Sequence, residues 1–320
     1  MMNISENFGF TTKGHKLFDF IDINLDTDTE LYIDPTLIDR LPTSWCIETK
    51  KILQNYFDNV FECCKTKNYA RLDKLVAFGK EPNETKLGLS VAQSCGKGSK
   101  PDSLRNIFRT VAEQCLIEKG LVEKPSELCV FVNNFAEDRM SDLITNIIRG
   151  QLYKFTTQQC KKLNINMSQK QYNLGNYWDA FEKEWNTLIG NSLIIGGKKI
   201  LLVPKIIVRR KFIISVAQYI QKHVLTYRQS FHLEKKTELV HKRYTKKKGY
   251  FYVPPTKKEL YEIEVKGQAH KDFARSFAEN NPHIADRFRK KQVTERDIWD
   301  CVLSDNELDF YVYGKNAYSA

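Results

Sequence analysis

The stretch "NFAEDRMSDLITNIIRG", Asn134 to Gly150, decides how the chain is read. It leaves an apolar run, "LCVFVNNF" (Leu128 to Phe135), and crowds Glu137, Asp138 and Asp142 around Arg139. An apolar helix then follows. The β-branched and aromatic content of the run predicts a short buried strand. Leu143, Ile144, Ile147, Ile148 and Leu152 recur at helical spacing and predict a helix with one face in the core. Ser141 is the expected N-cap, with Asp142 in the first turn, where the helix dipole favours an anion. Asp142, Thr145, Asn146 and Arg149 then form a polar strip on the face away from the core.

Two readings of the acids stand side by side. In one they cap a helix, and Glu137 and Asp138 pair with Arg139 at the surface. In the other, Asp138 and Asp142 share a magnesium ion with a third acid from the polar loop, Glu81 or Glu84, with Glu84 taken as the metal ligand, and Lys205 is the accompanying cation. Magnesium-dependent phosphodiester cleavage needs such oxygen ligands, because the ion polarises the phosphate and activates water.

Outward from this junction the elements predict an α+β chain dominated by helix, with small N-terminal sheet or hairpin elements and a helical C-terminal region. "KLFDFIDINLDTDTELYID" (Lys16 to Asp34) alternates with a period near two and predicts a strand or hairpin around an acidic turn. Ser44 to Lys65 carries Ile47, Ile52, Leu53, Phe57, Val60 and Phe61 at helical spacing. Trp178, Phe181, Trp185 and Leu188 predict a second amphipathic helix in "YWDAFEKEWNTLI". "NSLIIGGKKILLVPKIIV" predicts a hairpin around Gly196 and Gly197, followed by a helix over Lys211 to Tyr227. Thr256 to Glu259 is a capping box, Thr294 to Asp297 a further helix start, and Asn281-Pro282 a break between two short helices. The expected organisation is a main domain over 1–245, a basic, proline-containing linker over 246–255 and a helical domain over 256–320.

Several chemistries are excluded by pattern. The eight cysteines include no C-x-x-C pair and the six histidines no H-E-x-x-H, so the pattern predicts no zinc site and reduced, packed thiols. "GKGSK" (Gly96 to Lys100) is not a nucleotide-binding loop, since position 91 is Val and position 98 Gly where the pattern requires Gly and Ser or Thr. What remains is a loop whose backbone N–H groups suit a phosphate, leading into a helix capped by Asp102 or Ser103. Glu264-Val-Lys266 and Glu84-Thr-Lys86 match the E-x-K of some nucleases, but the first lies in a helical pattern ending at Gly267 and the second in a loop. No apolar run is long enough to span a bilayer, and the start lacks a signal-peptide pattern, which together predict a cytoplasmic protein without a membrane partner.

Charge is the most informative quantity. Leu201 to Tyr250 holds 13 Lys or Arg against Glu234 and Glu238, while the other residues carry 37 of each sign, so the whole +11 resides in 50 residues. Arg209, Arg210 and Lys211, then Lys242, Arg243, Lys246, Lys247 and Lys248, concentrate it, interleaved with Tyr244, Tyr250 and Tyr252. Basic side chains neutralise phosphates and aromatic faces stack on exposed bases, so DNA or RNA backbone is the expected partner, without sequence readout.

"LYIDPTLI", "NETKLGLS…GKG" and "DRMSDLITNIIRGQL" with "LLVPKIIV" resemble an uncharacterised family of bacterial proteins associated with phage-defence and restriction gene neighbourhoods. The resemblance spans roughly residues 16 to 210. It implies that Asp34, Glu84, Gly88, Arg139, Asp142, Pro204 and Lys205 lie on the family's pattern, without assigning them roles. The combined expectation is a nucleic-acid-binding protein of a bacterial defence type with a magnesium-dependent nuclease site. The alternative is a non-enzymatic subunit of a multi-protein defence complex that docks a partner ATPase or nuclease.

Overall fold

The computed structural model describes residues 3–10, 14–88, 101–294 and 297–314, with backbone alone for 101–103 and 291–294. The Gly96 to Lys100 loop and the caps expected at Asp102 and Ser103 lie outside what is described. Helix predominates, and the strands form four two-stranded antiparallel sheets among the described residues. Contacts gather the chain into two units. The first comprises 1–117, 134–213 and 297–320, and the second 118–133 and 214–296.

The first unit contains α1 (Ile4–Asn7), β1 (Tyr32–Ile33), α2 (Pro35–Arg40), α3 (Ser44–Lys65), α4 (Tyr69–Leu75) and α5 (Pro101–Glu113). It continues with α7 (Glu137–Ile147), α8 (Arg149–Lys162), β2 (Gln171–Asp179), β3 (Glu184–Asn191), β4 (Leu193–Ile195), β5 (Lys198–Ile200), β6 (Val208–Arg209) and α14 (Asp305–Tyr313). Helix α3 starts where Thr43 accepts a hydrogen bond from the Cys46 N–H, and it buries Cys46, Leu53, Tyr56, Phe57, Val60 and Cys64, leaving Ile47 exposed. The β4–β5 hairpin forms as expected, because Gly196 and Gly197 supply the two consecutive positive-φ residues of its turn. The described cysteines are all free, and all but Cys115 are buried.

Several expectations are corrected. Residues 171–191 form a β-hairpin, not a helix. The three- and four-residue spacing of its aromatics imitates a helical stripe, yet Trp178 and Trp185 face each other across the strands. Asp179 Oδ1 turns the chain by accepting from the Phe181 and Glu182 N–H groups, which leaves Phe181 91% exposed instead of buried. Between Phe18 and Leu25 the apolar side chains are buried as the pattern requires, but only isolated bridges form there and the one named strand is Tyr32–Ile33, paired with Val208–Arg209. The run from Leu128 continues a helix, Pro125–Phe131, because an all-apolar stretch buried on every side has no period to distinguish helix from strand.

The tryptophan pair anchors the hairpin on α3. Trp178 Nε1 donates to Asn55 Oδ1 at 2.9 Å, Trp185 Nε1 donates to the Leu75 carbonyl at 2.7 Å, and both rings meet Tyr56 edge-on.

The second unit contains α6 (Pro125–Phe131), α9 (Val216–Gln218), a π-helical turn (Tyr219–Val224) and α10 (Leu225–Lys235). It continues with β7 (His241–Thr245), β8 (Gly249–Val253), α11 (Lys257–Leu260), α12 (His270–Asn280) and α13 (Pro282–Thr294). Helix α6 begins at a proline in the first helical position, with Glu127 accepting from the Glu123 and Lys124 N–H groups. The helix expected over Lys211 to Tyr227 instead starts after Ser215, whose hydroxyl accepts from the Gln218 N–H, and runs on to Lys235. The capping box at Thr256 and Glu259 forms, and α12 and α13 meet at Asn281-Pro282. Thr294 ends α13 instead of starting a helix; Asp297 caps a 3₁₀ turn in the first unit. Within 246–255, the stretch expected as a linker, Gly249–Val253 is strand β8, paired antiparallel with β7.

Trp178→Ala is expected to destabilise the protein by about 3–5 kcal/mol, the usual consequence of emptying a buried aromatic site, measured by urea unfolding. A loss below 1 kcal/mol would mean that the hairpin does not depend on this anchor.

Candidate functional site

Helix α7 begins one turn earlier than expected, after Ala136, so Glu137 and Asp138 occupy the first turn, where the dipole favours them. Ser141 is not the N-cap: it is buried within the helix, and its hydroxyl accepts from the Ile33 N–H at 3.0 Å. Glu137 accepts from the Phe212 N–H at 3.1 Å. Asp34 lies beside them, fully buried, and caps α2 through Thr36 while accepting from the Ile213 N–H at 2.7 Å. Burial pushes the Asp34 carboxyl up to about 6, against the pull of those donors.

Asp142 is half-buried in the second turn. Burial, then the nearby charges of Glu81, Asp138 and Asp28, push its carboxyl from an ordinary 3.8 up to about 8. Tyr32 is pushed up to about 12 by burial and by the same acidic neighbourhood, Glu30 foremost. Cations hold part of this charge: Lys86 lies 3.4 Å from Asp28, and Arg210 lies 2.6 Å from Glu30.

The polar strip on α7 is not an exposed face. Thr145, Asn146 and Arg149 are 2%, 6% and 4% exposed, because the 80–88 segment and the β2–β3 hairpin cover them. Arg149 Nη1 donates to the Leu174 carbonyl at 2.8 Å and lies 3.3 Å from Glu84, while Nη2 donates to Asn146 Oδ1 at 2.7 Å. Asn146 in turn donates to the Lys80 carbonyl at 2.6 Å and to the Asp142 carbonyl at 3.0 Å. A β-carbon on Gly175 would stand 3.0 Å from the guanidinium carbon, at a φ of +94° that side chains rarely adopt, so this close approach requires glycine.

Of the four residues expected to work together, Asp138 and Asp142 share α7, and Asp142 joins Glu84 only through Asn146 and Arg149. Lys205 belongs elsewhere. Its ammonium donates to Asp305 Oδ1 and to the His15 carbonyl, both at 2.6 Å. Among the described residues no group of three or more His, Cys, Asp or Glu is placed to hold a metal ion.

The Lys205 network includes residues that the sequence did not single out. His15, fully buried, meets Asp309 through Nδ1 at 2.6 Å, and its Nε2 accepts from the Asp22 N–H at 3.1 Å. The Asp22 carboxylate accepts from Ser5 N–H, Ser5 hydroxyl and Tyr313 hydroxyl at 2.8, 2.5 and 2.6 Å. Both ring nitrogens of His15 are thus hydrogen-bonded, and this cluster fastens α14 to the N-terminal segment. Lone residues far apart in sequence gave no motif by which to find it.

The basic residues divide into two groups. Arg209 is spent inside the fold, donating to the Lys211 and Cys301 carbonyls, and Arg210 is held by Glu30. Lys242, Arg243, Lys246, Lys247 and Lys248 stand exposed on the β7–β8 hairpin and its turn, and none makes an ion pair with another described residue. Glu264, the acid of the discounted E-x-K, is held by both guanidinium donors of Arg228 and by His232, all at 2.8 Å.

These features define a helix-dominated α+β protein with a closed polar core in one unit and an uncompensated cationic hairpin in the other. The chain belongs to the family described as a domain of unknown function, DUF8370, whose model matches residues 9–215. No curated protein and no solved structure matches the chain. The family's match ends before the β7–β8 hairpin. Among the described residues no helix is long and apolar enough to cross a membrane.

Two outcomes follow from these groups. Arg149→Met should cost on the order of 3 kcal/mol, because Glu84, Asn146 and the Leu174 carbonyl lose their shared donor; unchanged thermal unfolding would remove Arg149 from this role. Asp142 holds its proton more tightly folded than unfolded, so its stabilisation is full below about 4 and is lost as pH rises through about 8. Asp34, raised only to about 6, contributes below that value, which leaves the interval from 6 to 8 to Asp142. Asp142→Asn should flatten the decline of stability across that interval, and a variant keeping the wild-type slope would refute the assignment.

Proposed function

We propose that this protein binds nucleic acid through its phosphate backbone, with the β7–β8 hairpin as the grip. The observation that carries the reading is that five cationic side chains stand exposed on one two-stranded element with no acid among the described residues to neutralise them. Several cations elsewhere are paired with acids: Arg149 with Glu84, Lys205 with Asp305, Arg210 with Glu30, Arg228 with Glu264. A cluster of like charges left unmatched in water is a standing repulsion, and it is relieved when phosphates displace their counterions onto it. A β-ribbon of this width also fits the major groove or the edge of an extended strand. The reading concerns binding. Glu84, the third acid expected to hold magnesium, is committed to Arg149.

The test is a titration of labelled single-stranded and duplex oligonucleotides at 50 and 200 mM salt, with and without magnesium. Release of counterions by five cations predicts an affinity loss on the order of 100-fold between the two salts. Reversing Lys246, Lys247 and Lys248 to Glu should reduce the salt dependence by more than half. Absence of binding at low salt would sink the proposal and favour an acidic protein partner.

A further inference from the structure

The hairpin carries more than charge. Its register sets Lys242 opposite Tyr252 and Tyr244 opposite Tyr250. Residues paired across antiparallel strands share a face, so Lys242, Tyr244, Tyr250 and Tyr252 stand together on one side of the ribbon. His241, Arg243, Phe251 and Val253 stand on the other, where Phe251 and Val253 are half-buried. The tyrosine side is the open one: Tyr244, Tyr250 and Tyr252 are 60%, 71% and 50% exposed. Tyr244 and Tyr250 lie 5.0 Å apart between ring centres, and the Lys242 ammonium sits 4.6 Å from the centre of the Tyr250 ring. Lys246, Lys247 and Lys248 extend the charge into the turn that joins the two strands.

We infer that this face is a stacking platform for unpaired bases, so that the ligand of the hairpin is single-stranded nucleic acid. The inference rests on the proposed phosphate grip and names the substrate class for it. A duplex offers a protein phosphates and base edges, and its base faces are closed by stacking. An exposed tyrosine ring can stack on a base face, which a single strand provides. Spacing points the same way. Alternate residues on a strand are about 6.8 Å apart, whereas successive bases in a stacked strand are about 3.4 Å apart. Bases seated singly on Tyr250 and Tyr252 must therefore come from a strand that has been drawn out and unstacked. Lys242, held over Tyr250, places a cation beside the ring that takes the base, where the accompanying phosphate passes.

A purely structural ladder accounts for less. A cross-strand tyrosine pair stabilises a hairpin, but Tyr244 and Tyr250 alone supply that, and Tyr252 stands half-exposed opposite a lysine.

The experiment uses the full chain and three probes of equal length: oligo-dT, oligo-rU and a mixed-sequence duplex, with binding read by fluorescence anisotropy at low salt. The two single strands are expected to bind more tightly than the duplex. Tyr250→Ala and Tyr252→Ala should each weaken single-strand binding about 5- to 100-fold and leave duplex binding within about twofold. Tyr250→Phe and Tyr252→Phe keep the ring and should restore the affinity. Photocrosslinking of the wild-type protein to an iodouracil-substituted strand gives a readout that needs no variant, with adducts expected at Tyr244, Tyr250 or Tyr252. Preference for dT or for rU would assign the platform to DNA or to RNA. Duplex bound as tightly as single strand, Ala variants that lose nothing, or Phe variants that lose as much as Ala, would each overturn the stacking inference. If the lysine reversals still weaken binding in that case, the phosphate grip survives without it. No binding of any probe would overturn both.

Discussion

The first unit depends on one buried guanidinium. Arg149 sits at the break between α7 and α8, and from there its planar fork reaches three separate pieces of chain: Glu84 in a loop, Asn146 a turn back in the helix, and the Leu174 carbonyl on β2. A buried arginine must find such partners or unfold the region around it, because an unpaired charge in a dry interior is costly. Satisfying it draws the 80–88 segment and the β2–β3 hairpin onto the same face of the helix. Gly175 completes the arrangement by leaving room for the guanidinium. The tryptophan pair on the other end of the hairpin does the apolar half of the same task against α3.

This closure changes the meaning of the acids on α7. Glu84 lies against Arg149, and Asn146 is turned inward by the Lys80 carbonyl. Asp142, left beside Glu81, Asp138 and Asp28, responds to burial and then to crowding of like charge by holding its proton. The second unit shows the opposite treatment of charge. Its internal arginines are matched, Arg228 by Glu264 and Arg289 by Glu127, while the lysines of the hairpin are left to solvent.

Much of this could be read from residues alone. The apolar stripes of α3 and α7–α8, the glycine turn of β4–β5, the Thr256 capping box and the Asn281-Pro282 break all formed, because each depends on neighbours within a few positions in the chain. The errors share a cause. Trp178, Phe181, Trp185 and Leu188 fit a helix by spacing, yet the pairing of Trp178 with Trp185 and of both with Tyr56 decided for strands. The run from Leu128 is apolar on every side and so carries no period. Ser141 looks like a cap, but Glu137 and Asp138 offered an earlier start, and a distant backbone N–H at Ile33 claimed its hydroxyl.

By itself the sequence determined the class of the protein, helix-dominated α+β, and the confinement of its net positive charge to 50 residues, since composition and local period are properties of the chain before it folds. Only the tertiary structure decided which of those charges are used internally and which face water. Arg149 and Glu84, or Lys205 and Asp305, are separated by 65 and 100 residues, and no local pattern announces that they meet. Whether a charge becomes a fastening or a contact surface depends on what covers it. In this protein one hairpin is packed over a helix and another keeps one face open.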